Sequence, residues 1–184
     1  MRMQMGLDGC LVLVTVARPH PIKNVGSLLE AFTAVSSDEP RLRLVVMGGG
    51  MESLAQRAKE LGVGGLVTFA GHRPDVVPVL GAADAYVSPA IRESFNLALL
   101  EALTLGLPAL ATPVGIAPEL ITSGRNGVLA EDAGASALED GLRELLALHD
   151  RWREMGQESE RRARRLTIQR MVKSHEDLYC RLAC

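Results

Sequence analysis

Aromatic side chains make up only 3% of this 184-residue chain. A core with so few aromatics must be built from the abundant Ala, Val and Leu. Small aliphatics of that kind suit strands covered by helices on both faces. Cysteine is scarce as well. Cys10, Cys180 and Cys184 are odd in number and show no metal-binding spacing, which predicts a reduced, cytoplasmic protein without a metal site. No apolar run approaches the roughly 18 residues of a membrane span. The formal charge of −2 excludes an overall basic field for nucleic acid. No repeat, low-complexity tract or interdomain linker interrupts the chain, so one domain over residues 1–184 is expected. Residues 1–10 carry no pattern and are read as linker or irregular.

What is present is an alternation. Short apolar runs predict strands at Leu11–Ala17, Leu42–Met47, Leu66–Phe69, Ala83–Ser88, Ala109–Ala111 and Gly127–Leu129. Amphipathic runs predict helices at Val25–Val35 (with Asn24 as N-cap), Glu52–Leu61, Asp75–Gly81, Leu97–Leu105, Ala117–Ile121 and Ser136–His149, then two more at the C-terminus. Arg2 before Leu11–Ala17 faintly suggests a signal peptide. Asp8 ahead of the run, and Arg18-Pro19 behind it, favour a buried strand instead. The fold class is therefore α/β: a Rossmann-like, doubly wound parallel sheet of about six strands with extra C-terminal helices.

Ligands of such sheets bind beyond the carboxyl ends of the strands. Those ends carry Arg18 and Lys23, then Gly48-Gly49-Gly50, then Gly71-His72-Arg73, then Glu93-Ser94-Phe95-Asn96, then Thr112 to Gly115. Arg18 and Lys23 lie ahead of a helix N-terminus, a combination suited to a diphosphate; they read equally as solvated loop residues. The glycine run is either a tight turn or a close approach of backbone to ligand. It is not a nicotinamide fingerprint, since it follows the second strand and lacks the later acid. Glu93 and Glu101 flank the start of a helix, where carboxylates can accept from sugar hydroxyls and the amides of Ser94 to Leu97 can donate. Glutamates also favour first turns for electrostatic reasons alone. Of the histidines, only His20 and His72 fall in these loops. The cations from Arg151 to Lys173 read as a solvated helix face, with a peripheral contact to an anionic membrane surface as the sharper alternative.

Taken together, these residues resemble family 4 of the glycosyltransferases, which have the GT-B fold. The resemblance runs from about Leu11 to Tyr179. It is carried by Arg18 through Lys23-Asn24, by Glu93 to Glu101 as an E-x7-E motif, by Gly106 to Thr112, by Pro118-Glu119, and by Asn126-Gly127. It implies a retaining, metal-independent enzyme using a nucleoside-diphosphate sugar, a UDP- or GDP-sugar. Arg18 and Lys23 would hold the diphosphate, and Glu93 would face the transferred sugar. Glu101 would bind ribose, Ser94, Phe95, Asn96 and Leu97 would surround sugar and phosphate, and Gly48, Gly50, His72 and Arg73 would complete the donor site. Ser94 replaces a frequent glycine, which bears on donor preference. The resemblance covers only the donor-binding half, so an N-terminal acceptor-binding domain is the implied partner, in the same or a separate chain. The last helix would then expose apolar surface and promote self-association. A non-catalytic sugar-nucleotide-binding or assembly module, or half of a sugar-nucleotide epimerase, are the alternative functions.

Overall fold

A computed structural model of the chain describes residues 1–182, so Cys184 lies outside the described residues; Cys10 and Cys180 are free thiols. Six strands form one parallel sheet: β1 (Leu11–Val16), β2 (Leu42–Met47), β3 (Val67–Gly71), β4 (Ala85–Ser88), β5 (Ala109–Ala111) and β6 (Gly127–Leu129). Their order is β3-β2-β1-β4-β5-β6. The winding reverses between β1 and β4, which opens a crevice at their carboxyl ends. Register is in step on both sides of β1, with Val14 opposite Val45 and Leu13 opposite Ala85.

Alternation along the strands sorts their side chains onto two faces. Leu13, Leu44, Val46, Ala85, Val87 and Leu110 meet α1 (Val25–Ser36), α2 (Glu52–Glu60) and α6 (Ala135–Ala147). Val12, Val14, Val45, Tyr86 and Ala109 meet α3 (Val77–Leu80), α4 (Leu97–Thr104) and α5 (Ala117–Leu120). Phe32 on α1 is fully buried, a burial worth roughly 1.5–3 kcal/mol. α7 (Trp152–Ala163) contributes Trp152 and Met155 to one layer and Ala163 to the other. α8 (Ile168–Leu182) buries none of its residues.

Several expected boundaries shift for local reasons. β4 starts at Ala85 rather than Ala83, because Ala82 and Ala83 donate back to Val79 and Leu80 and close the turn after α3. β3 runs on to Gly71, whose carbonyl accepts from the Gly48 amide at 2.9 Å. Residues 1–10 are irregular apart from a 3-10 turn at Met3–Met5, yet they dock: Leu7 is buried, and Arg2 pairs with Asp84. Much of the basic C-terminal run pairs along its own helices. Arg161 and Arg162 both reach Glu158, Arg164 reaches Glu160, and Lys173 reaches Asp177. No helix among the described residues is long and apolar enough to cross a membrane.

Candidate functional site

A cavity of about 730 Å³ opens beyond the carboxyl ends of β1 to β4, at the crevice the topology requires. Its walls come from the four loops that follow those strands and from the first turn of α4.

The β1 loop leaves Ala17 and Arg18 on the lining, then tightens into a 3-10 turn, Pro21–Lys23. His20 shapes that turn, its Nδ1 accepting from the Ile22 amide at 3.2 Å. It acts on the loop and is not itself on the lining. Lys23, in the turn's last position, extends to Glu93 with Nζ 2.5 Å from Oε1, and the two side chains are only 21% and 15% exposed. Arg18 remains exposed on the lining.

From the β2 loop come Gly48 and Gly49. Gly48 has φ of +148°, and a Cβ there would stand 1.9 Å from the Ala17 carbonyl oxygen. Only glycine lets the β2 end pass so close to the β1 loop. Gly50 does not line the cavity: it turns against Pro19 and supports the wall from behind. His72 and Arg73, from the β3 loop, are exposed on the lining.

The β4 loop supplies Glu93, Ser94, Phe95 and Asn96, and α4 supplies Leu97 and Ala98. Asn96 has a left-handed backbone, φ +82°, and is buried. Its Oδ1 accepts from the Leu99 amide at 3.2 Å, and its Nδ2 donates to Ser88 Oγ at 2.7 Å. The carboxamide is therefore committed to capping α4 and anchoring it to the end of β4. The cap consumes the Leu99 amide and leaves those of Leu97 and Ala98 as first-turn donors. Glu101 is exposed one turn into α4 and is not among the residues lining the cavity. The first turn, Leu97 and Ala98, forms that wall.

Two supports come from the β5 loop on the same rim. Thr112 donates through its hydroxyl to the Ala90 carbonyl at 2.6 Å. Gly115, at φ +58°, sits so close that a Cβ would stand 2.8 Å from the Phe95 carbonyl oxygen and 3.0 Å from Glu93 Cβ. The neighbouring Ile116 amide donates to that same Phe95 carbonyl at 2.9 Å. The β5 loop thus buttresses the β4 loop from outside the cavity.

The electrostatics favour an anion. Arg18, Lys23 and Arg73 face one carboxylate, Glu93, on the lining. Tyr86 is buried in the sheet, and burial pushes its phenol up, with further upward contributions from the charges of Glu93 and Glu101 against a lowering contact from the Val16 backbone. Of the two glutamates, only Glu93 lines the cavity. Among the described residues, no three His, Cys, Asp or Glu side chains gather as metal ligands. The lining thus unites Arg18, Lys23, Gly48, His72, Arg73, Glu93 and the segment Ser94 to Leu97, and it leaves Gly50 and Glu101 outside.

The chain is similar to known proteins along most of its length. It is 28% identical over 171 residues to an N-acetyl-alpha-D-glucosaminyl L-malate synthase of Bacillus anthracis, covering 91% of this chain and 45% of that protein. It is 34% identical over 167 residues to a D-inositol 3-phosphate glycosyltransferase of Nocardia farcinica, covering 84% of this chain and 37% of that one. The chain thus spans less than half the length of these relatives. Among solved structures, Anabaena HepE in complex with UDP and glucose superposes with a TM-score of 0.85 at 22% identity, over 97% of this chain and 50% of that one. That likeness shows the Rossmann-like fold. The model of the family Glycosyl transferases group 1 matches residues 7–162, and with the sheet and cavity described above the chain belongs to that family.

Proposed function

We propose that this chain is the donor-binding half of a retaining, metal-independent glycosyltransferase of family 4, with the GT-B fold. The observation that carries the reading is the meeting of Arg18, Lys23, Glu93 and the first turn of α4 in one crevice. A nucleoside diphosphate brings negative charge to that lining, and three cations with two helix-end amides are suited to receive it. Its sugar then falls beside Glu93, whose carboxylate accepts from hydroxyls. When the bond from the anomeric carbon to the phosphate oxygen breaks, the diphosphate leaves with the electron pair, and an acceptor hydroxyl from the partner domain forms the new bond and gives up its proton. Arg18 and Lys23 meet the charge that develops, a role a metal ion fills in other enzymes. Glu101 binds ribose from the rim rather than from the wall.

The relatives are more than twice as long as the segment matched, which leaves room for a further domain; the family resemblance makes it an acceptor-binding one, N-terminal to this. Transfer belongs to the pair, and binding to this chain. The test is calorimetric titration with UDP, GDP and their sugar derivatives in the presence of a chelator. Metal-independent binding of at least one is expected, with no transfer by the chain alone. Failure of every nucleotide to bind folded protein removes the donor assignment. Binding that requires a divalent cation removes the metal-independent one.

A further inference from the structure

The structure holds two non-glycine residues with left-handed backbones among those described, Asn24 and Asn96, and both stand at helix starts beside the cavity. Asn96 caps its helix. Asn24, expected as the N-cap of α1, occupies that position at φ +55° but makes no side-chain cap. Its Nδ2 donates instead to the Pro89 carbonyl at 3.0 Å and the Ala133 carbonyl at 2.7 Å, while its Oδ1 accepts from Ser27 Oγ at 2.8 Å. One carboxamide thus joins three loops, those following β1, β4 and β6.

Its neighbours repeat the connection. The Ile91 amide donates to the Ile22 carbonyl at 2.8 Å, and Lys23, adjacent to Asn24, meets Glu93. Left-handed backbone in a residue other than glycine costs free energy and persists where surrounding contacts impose it. Here those contacts are two hydrogens of one amide shared between two carbonyls. A carboxylate of the same shape would offer neither hydrogen and would place negative charge against both acceptors.

We propose that Asn24 is a positioning residue: its carboxamide clips the β1 loop to the β4 loop and so sets where Lys23 stands relative to Glu93 and to an incoming diphosphate. The inference rests on the donor-binding reading above.

The test uses Asn24→Asp and Asn24→Gly, each alone and with Lys23→Ala, in the full chain. Glycine keeps the backbone conformation and removes the clip; aspartate keeps the shape and removes both donors. Each single variant is expected to bind UDP about tenfold more weakly, as part of the charge-assisted Lys23 contact is lost when Lys23 is no longer held in place. In the Lys23→Ala background the same changes should have almost no further effect, because Asn24 acts through Lys23. Independently of nucleotide, amide exchange at Ile91 should accelerate in both variants while that at Thr112 stays slow. Fully additive effects on affinity, or unchanged affinity and Ile91 protection in both variants, would overturn the proposal while leaving the donor reading intact. A wild-type chain that binds no nucleotide overturns both.

Discussion

Lys23 and Glu93, 70 positions apart, meet across the cavity mouth at 2.5 Å with both side chains largely covered. The pair satisfies each charge. A diphosphate must compete with Glu93 for Lys23, so the two residues have separable effects. Lys23→Ala is expected to weaken UDP binding by roughly ten- to a hundredfold, as loss of a charge-assisted contact of about 1.5–3 kcal/mol implies. Glu93→Gln is expected to bind bare UDP no more weakly than wild type, since the competing charge is gone. Titration calorimetry of both variants checks this.

Glu101 and Glu93 should differ in kind. Glu101→Ala is expected to weaken bare UDP more than Glu93→Ala does, and Glu93→Ala to narrow the difference in affinity between UDP and its sugar derivative. Equal losses of bare UDP in the two variants would contradict the assignment.

Gly115 offers a test that touches no ligand. Gly115→Ala would push a Cβ into the Phe95 carbonyl and Glu93 at a positive φ. A loss of about 1–3 kcal/mol in unfolding free energy is expected, with weaker nucleotide binding as the β4 loop shifts. Denaturant unfolding read alongside calorimetry measures both.

Low pH should weaken α7. Hydrogen bonds from Arg161 and Arg162 hold the Glu158 carboxyl at about 2, below its ordinary 4.5. Its folded value is the lower one, so its contribution is full above pH 4.5 and is lost as pH falls toward 2. The pairs are near the surface and worth about 1 kcal/mol at most. Glu158→Gln should flatten this part of the stability profile below pH 4.5, seen by thermal melts across pH.

α8 exposes Ile168, Met171, Val172, Tyr179 and Leu182. In the absence of a partner domain this surface is expected to drive self-association. Sedimentation velocity should show association that rises with concentration, and the double change Ile168→Glu with Met171→Glu should reduce it.

How much of this was legible follows from which forces act locally. Short continuous apolar runs mark the six strands, because most of them are covered on both faces and need no distant partner to be recognised. The rim was legible because parallel strands put their carboxyl ends on one side. Asn24 was placed at the start of α1 from local chemistry, yet its side chain serves Pro89 and Ala133, more than 60 residues away. No local pattern encodes that choice. Gly115 and Thr112 fall on the expected rim, but their contacts to the β4 loop are long-range and leave no local pattern. Glu101 is exposed one turn into α4 and outside the cavity lining, a placement that spacing along the chain does not resolve.

The most direct test of the donor site is an NMR titration of the isotopically labelled chain with UDP, reading amide shifts. Changes are predicted at Gly49, His72 and Ser94 to Ala98, with residues 165–174 unaffected. Absence of shifts at saturating UDP, or shifts confined to residues 165–174, would contradict it.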